Sequence, residues 1–176
     1  MAFCRYRTLE VEIESAHGLP YVNHVTKMKP YAVVYLWDIK KNLRSPRELS
    51  SIFVDGSNPT WSFKFRFHID ITKAQENHYA LVVKLKSCRK THCFPDKCIG
   101  EVRVLITELL ECSRHAAENN IRVSKNVQTF GQKKKKKRKK KKKVLTLPKT
   151  LQAELAFSYN FGNPIADHPS SVSICL

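Results

Sequence analysis

Trp61-Ser62-Phe63-Lys64-Phe65-Arg66-Phe67-His68-Ile69 alternates apolar and polar residues without a break. Trp61, Phe63, Phe65, Phe67 and Ile69 fall on one face, and Ser62, Lys64, Arg66 and His68 on the other. A period of two is the mark of a strand with one buried face. Burying its four aromatic rings supplies roughly 2 kcal/mol each, which makes it the clearest element in the chain.

The same pattern recurs on both sides of it. Thr8–Glu14 sets Leu9, Val11 and Ile13 against Thr8, Glu10, Glu12 and Glu14, and His17-Gly18-Leu19-Pro20 ends the run. Strands are also predicted at Pro30–Asp38, Leu49–Val54, Tyr79–Lys86, Cys98–Val104 and Ile121–Phe130. A last one, Leu151–Phe161, places Leu151, Ala153, Leu155, Phe157, Tyr159 and Phe161 on one face. Ile106–Cys112 carries leucines at helical spacing, with Thr107 as its expected N-cap. Eight strands, short loops and one small helix without βαβ alternation predict an antiparallel β-sandwich. One domain suits the length of 176 residues, and 42% hydrophobic content suits a packed body.

One stretch departs from this pattern. Lys133, Lys134, Lys135, Lys136, Lys137, Arg138, Lys139, Lys140, Lys141, Lys142 and Lys143 form an unbroken basic run between the last two predicted strands. These eleven residues carry most of the net charge of +17, leaving +6 for the rest. Adjacent cations repel and have no carboxylates beside them, so no core can take them in. The run belongs in solvent or against something strongly negative. Beyond Gly162 the prolines and serines of residues 163–176 read as a flexible tail.

Composition removes several function classes. No stretch approaches the roughly 18 apolar residues of a membrane span. Met1-Ala2-Phe3-Cys4-Arg5 has no apolar signal core behind it, so secretion is not expected. Ser173 stands where a prenylation box needs its cysteine, and Ala2 where myristoylation needs glycine. Six cysteines without a secretory signal read as thiols. Cys88, His92, Cys93 and Cys98 lack the paired C-x-x-C spacing of structural zinc sites, so no metal is expected there. There are only five glycines and no phosphate-cradling loop, and Ser, His and Cys fall in no nucleophile motif, so neither catalysis nor a cofactor is expected.

A set of short segments carries a family likeness: Tyr6-Arg7-Thr8-Leu9, Ser15-Ala16-x-Gly18-Leu19, Lys29-Pro30-Tyr31-Ala32-Val33-Val34 and Asn58-Pro59-x-Trp61. Pro95-Asp96-Lys97-x-Ile99-Gly100-Glu101-Val102, Glu108-Leu109-Leu110 and Leu155-x-Phe157-Ser158-Tyr159-x-Phe161-Gly162 complete it. Together they resemble a C2 domain, in particular the small plant C2 proteins of the cold-regulated and copine-associated kind. The likeness runs over about residues 5–162, so residues 1–162 are expected as one C2-like unit of type II topology. It implies an intracellular β-sandwich that docks on membranes through the loops at one end, often with calcium, and an adaptor role in stress or defence signalling. Another membrane-bound C2 protein is an implied partner.

The departures from the family set the expected mechanism. A hard divalent cation needs several carboxylate oxygens. The aspartate that the family places before Pro-Tyr is Lys29 here, and the earlier acidic position falls near Asn23. The third loop offers only Asp96 among Arg89, Lys90 and Lys97. Strand alternation brings the first and third loops to one end together with the basic run. Lys27, Lys29, Arg89, Lys90 and Lys97 are therefore expected to join Lys133–Lys143 in contacting anionic phospholipid at the plasma membrane, without calcium. Nuclear import or nucleic-acid binding through the same run is the alternative reading. Aromatics interleaved with basic residues, which stacking on bases requires, are not evident on the outward faces.

Overall fold

A computed structural model describes residues 6–23, 26–53, 56–89, 95–115, 120–129 and 152–164. Two antiparallel sheets pack face to face. The four-stranded sheet runs β5 (Thr60–Asp70), β1 (Tyr6–His17), β10 (Glu154–Phe161), β8 (Ile121–Asn126). The six-stranded sheet runs β3 (Leu43–Arg44), β2 (Pro30–Asp38), β6 (Tyr79–Ser87), β7 (Lys97–Leu105), β9 (Gln128–Thr129), with β4 (Glu48–Leu49) also on β2. The expected sandwich is therefore present.

The alternating strands bury the faces their patterns dictate. Leu9, Val11 and Ile13 of β1 meet Phe65 and Phe67 of β5 and Phe157 and Tyr159 of β10 in the core between the sheets. Across that core, β2, β6 and β7 contribute Val34, Leu36, Leu81, Val83, Leu85, Val102 and Val104. Tyr159 donates its hydroxyl to the Leu109 carbonyl, which satisfies a polar atom at the core's edge.

Four details differ from the sequence expectation. The strand read at Leu49–Val54 shrinks to the two residues of β4, and β3 precedes it, because serine side chains take over part of the pairing. Ser50 Oγ accepts from the Ala32 N–H and Ser45 Oγ from the Leu36 N–H, where a strand would offer carbonyls. The strand read as Ile121–Phe130 divides at Val127. Its first part joins one sheet and its second the other, while the Val127 N–H bonds to the Ala153 carbonyl.

A second helix, α1 (Ile71–Gln75), follows β5 directly and is capped by Asp70, whose carboxylate accepts from the Thr72 and Lys73 N–H groups. The other helix, α2, extends over Ile106–His115. Thr107 is not its cap. Its hydroxyl instead reaches the Ala74 carbonyl and Asn77 Oδ1, tying α2 to the end of α1.

Gly100 is required by close approach. A Cβ there would meet Val127 Cγ1 at 2.6 Å and the Gln128 carbonyl oxygen at 2.8 Å. Only a glycine lets β9 lie on β7 at that point.

Candidate membrane-docking end

Register places four chain crossings at one end of the sandwich. His17 of β1 lies beside Glu154 of β10, Ser15 beside Thr60 of β5, and Ser87 of β6 beside Pro30 of β2 and Lys97 of β7. The described residues of the first loop (18–23 and 26–29), of the turn at 56–59 and of the third loop (88–89 and 95–96) therefore share that end. Asn126, closing β8, pairs with Glu154, opening β10, and Thr129, which ends β9, borders the same cleft as Gly18 and Gln152, so the chain leaves β9 and re-enters β10 at that end too. Gly18 and Pro20 line a cleft of about 470 Å³ with Asn126, Val127, Gln152 and Ala153.

Hydrogen bonds fasten these loops to one another. The Leu19 N–H donates to the Ser57 carbonyl and the Gly18 N–H to Asn58 Oδ1. Asn23 Nδ2 reaches the Lys27 carbonyl and Ser87 Oγ, which also accepts from the Lys29 N–H. The Cys88 N–H bonds to the Lys29 carbonyl. Loops built this way present side chains from a fixed frame.

Within that frame the basic residues take different roles. Lys27 is exposed, and Lys29 and Arg89 are half-buried. Lys97 turns inward and donates its ammonium to the Val22 carbonyl, pinning the first loop to the third. Sequence reasoning treated it as one more surface cation. Tyr21, by contrast, drew no attention in the sequence, yet it is 57% exposed at the same end. A tyrosine flanked by Pro20 and Val22 in a loop next to lysines is the signal that marks it. Lys90 and the run Lys133–Lys143 lie outside the described residues, as do His92 and Cys93.

Asp96 is the only carboxylate in the first and third loops, and both its oxygens are taken. Tyr31 donates its hydroxyl to Oδ2 at 2.6 Å, and the Arg89 N–H donates to Oδ1 at 3.0 Å. The Tyr31 hydrogen bond holds the carboxyl below its ordinary range, against the opposing effect of burial and with help from the Arg89 N–H. Burial in turn pushes the Tyr31 hydroxyl up, and the same hydrogen bond adds to it. Among the described residues, no three His, Cys, Asp or Glu side chains come together as a metal site.

The strands carry charge as well, and the two outer faces differ. On the four-stranded sheet Lys64 and Arg66 pair with Glu12 and Glu10 across β5 and β1, so the outward stripe on β5 is neutralised. On the six-stranded sheet, β2 turns Tyr31, Val33, Tyr35 and Trp37 outward. Lys84 and Arg44 lie over the Tyr35 ring at 5.8 and 5.7 Å, and Arg103 over Trp37 at 5.2 Å. The sequence reading saw no outward face with interleaved aromatic and basic residues. The fold assembles one from four strands, where no single segment shows it.

No helix among the described residues is long and apolar enough to cross a membrane. In sequence, the chain is 38% identical to Protein SRC2 of Glycine max over 107 residues, 60% of this chain and 35% of that one. It is 29% identical to a Protein SRC2 homolog of Arabidopsis thaliana over 115 residues, 65% of this chain and 34% of that one. The chain thus spans about a third of the length of these curated relatives. In structure, it superposes on the C2A domain of a plant Extended Synaptotagmin 1 with TM-score 0.59 and 12% identity, covering 91% of this chain and 96% of that one. Extended-Synaptotagmin 2, in its SMP, C2A and C2B domains, gives TM-score 0.60 at 13% identity over 93% of this chain and 29% of that one. The profile of the C2 domain matches residues 7–123, and with the sandwich it encodes, this chain belongs to the C2 domain family.

Proposed function

We propose that this chain is a non-catalytic membrane-docking module that holds anionic phospholipid with fixed positive charge and without calcium. The observation that carries the reading is the state of Asp96. The single carboxylate of the two loops is engaged by Tyr31 and Arg89, while Lys29 and Asn23 occupy positions where calcium-binding relatives need acids. Lys27, Lys29 and Arg89, with Lys90 and Lys133–Lys143, face the lipid, and Lys97 keeps the two loops in register.

Each basic residue at an acidic leaflet is worth about 1 kcal/mol, so a handful acting together gives useful affinity. The run does not add in full, because its charges crowd one another and lose freedom on docking. Eleven extended residues reach roughly 36 Å, enough for several headgroups. Selectivity then follows lipid charge. Tyr21 adds an amphipathic ring that suits the headgroup layer. The module works at the cytoplasmic side of the plasma membrane and serves as an adaptor in stress or defence signalling.

Co-sedimentation with vesicles tests this. Binding is expected with phosphatidylserine, to weaken as salt rises, and to fall steeply when residues 133–143 become Gly/Ser. Equal binding to neutral phosphatidylcholine vesicles contradicts it.

A further inference from the structure

We propose that the cleft between the first loop and the junction of β8 with β9 is a headgroup subsite. It takes an uncharged polyhydroxyl ring, a cyclitol or hexose, borne by an anionic membrane lipid. The inference rests on the proposed docking of this end and adds to it a choice among lipids of equal charge.

The lining carries the argument. At about 470 Å³ the cleft falls within the ordinary range of small-molecule sites. Around it stand Asn126, Gln128, Thr129 and Gln152, and among the described residues no charged side chain joins them. All four are exposed, and among the described residues none gives its side chain to a hydrogen bond within the protein. Each amide offers donors and an acceptor side by side, and the threonine hydroxyl does both. Neighbouring hydroxyls of a sugar-like ring present the same pair of functions. Pro20, with the buried Val127 and Ala153, adds apolar surface for the ring's C–H groups.

The walls are fixed before a ligand arrives. Gly18, at φ 65°, donates its N–H to Asn58 Oδ1. The Val127 N–H is bonded to the Ala153 carbonyl at 2.7 Å. Gln128 lies opposite Glu101, and its backbone rests against Gly100. A cleft held this way loses little freedom on binding.

Other occupants suit it less. A phosphate seeks cations, and the described lining has none. A serine headgroup carries an ammonium and a carboxylate, which would lie there unpaired. An acyl chain would strip water from four polar side chains and return no hydrogen bond. The charge of the lipid is met elsewhere. In sequence the basic run begins four residues beyond Thr129, a span of about 14 Å at full extension.

Two lipids of equal charge test the idea. The full chain is titrated with phosphatidylcholine vesicles containing phosphatidylinositol or phosphatidylserine at equal mole fraction. About fivefold tighter binding to the inositol vesicles is expected. The double variant Asn126→Leu, Gln152→Leu should bring that affinity down to the serine level and leave serine binding unchanged, with its fold checked by circular dichroism. Without membranes, nuclear magnetic resonance follows the side-chain amides of Asn126, Gln128 and Gln152. Glycerophosphoinositol should shift them saturably, and glycerophosphoserine should not. This arm needs no variant and no vesicle. Should neither vesicle bind, the docking reading falls, and the amide shifts alone decide the subsite. Where both bind, equal affinity overturns the proposal, as does an inositol preference that survives in the folded variant. Amide shifts that are absent, or equal with the two headgroups, overturn it too.

Discussion

The two sheets of this sandwich are built by the same alternation, yet their outer faces are opposites. On the four-stranded sheet, Arg66 meets Glu10 at 2.5 Å, Lys64 meets Glu12 at 3.6 Å and Arg122 meets Glu14 at 2.7 Å. Three cations meet three carboxylates, and the cations are 67 to 76% exposed, so the pairs are screened and weak. On the six-stranded sheet the outward residues of β2 are aromatic or β-branched, and the cations that cover them come from neighbouring strands. Among the described residues, the carboxylate that pairs with Lys84 and Arg103 is Glu101, whose side chain is 5% exposed. Strand against strand, matched charges make an inert surface. Aromatic rings instead gather cations without neutralising them, and a surface with unspent charge results.

The largest expected effect comes from a contrast between two glycines, one packed under β9 and one just past β10. Gly100→Ala forces a Cβ into the Gln128 backbone, and about 3 kcal/mol of stability should be lost in urea unfolding. Gly162→Ala meets Thr8 at an ordinary 3.5 Å and should change stability little. Equal costs would show that β9 does not sit on β7 as described.

Removing carboxylates comes next. Glu101→Gln leaves Lys84 and Arg103 without their buried partner and should cost about 2 kcal/mol. Glu10→Gln on the other face should cost below about 0.5 kcal/mol. If thermal melts show the two substitutions to be equivalent, the contrast between the faces fails.

Tyr31→Phe probes the junction of the six-stranded sheet with the third loop and should cost about 1 kcal/mol at neutral pH. The sign of its pH dependence follows from Asp96. A carboxyl lowered by folding stabilises at neutral pH, and that contribution is lost as pH falls through its folded value. The gap between wild type and variant should therefore hold above about pH 4 and close in stronger acid. A gap that widens in acid would contradict the hydrogen bond. Smallest of all, Arg66→Ala should shift stability by only a few tenths of a kcal/mol, about as little in 1 M salt as without.

How far the chain could be read depended on how local each signal was. β1, β5 and β10 were legible because period-two alternation is written in consecutive residues. The split at Val127 was not, since pairing with both sheets depends on Gly100 and Ala153, far away in sequence. β3 and β4 were obscured by Ser45 and Ser50, whose hydroxyls accept as carbonyls do. The start of α1 was marked by Asp70 before Ile71-Thr72-Lys73, a capping signal that the strong strand pattern just before it hid. At the docking end, the side of the sandwich followed from strand alternation. The inward turn of Lys97 did not, because the carbonyl it reaches belongs to Val22. The aromatic and basic face could not be read at all from single segments, for each strand supplies only one part of it.

The central claim is that fixed charge does here what a bound cation does in calcium-dependent relatives, and calcium itself tests it most directly. Vesicle binding should be measured on phosphatidylserine membranes at constant ionic strength, from excess chelator to about 1 mM calcium. The account predicts one affinity across the whole range. An affinity that rises with calcium and collapses in chelator would contradict it.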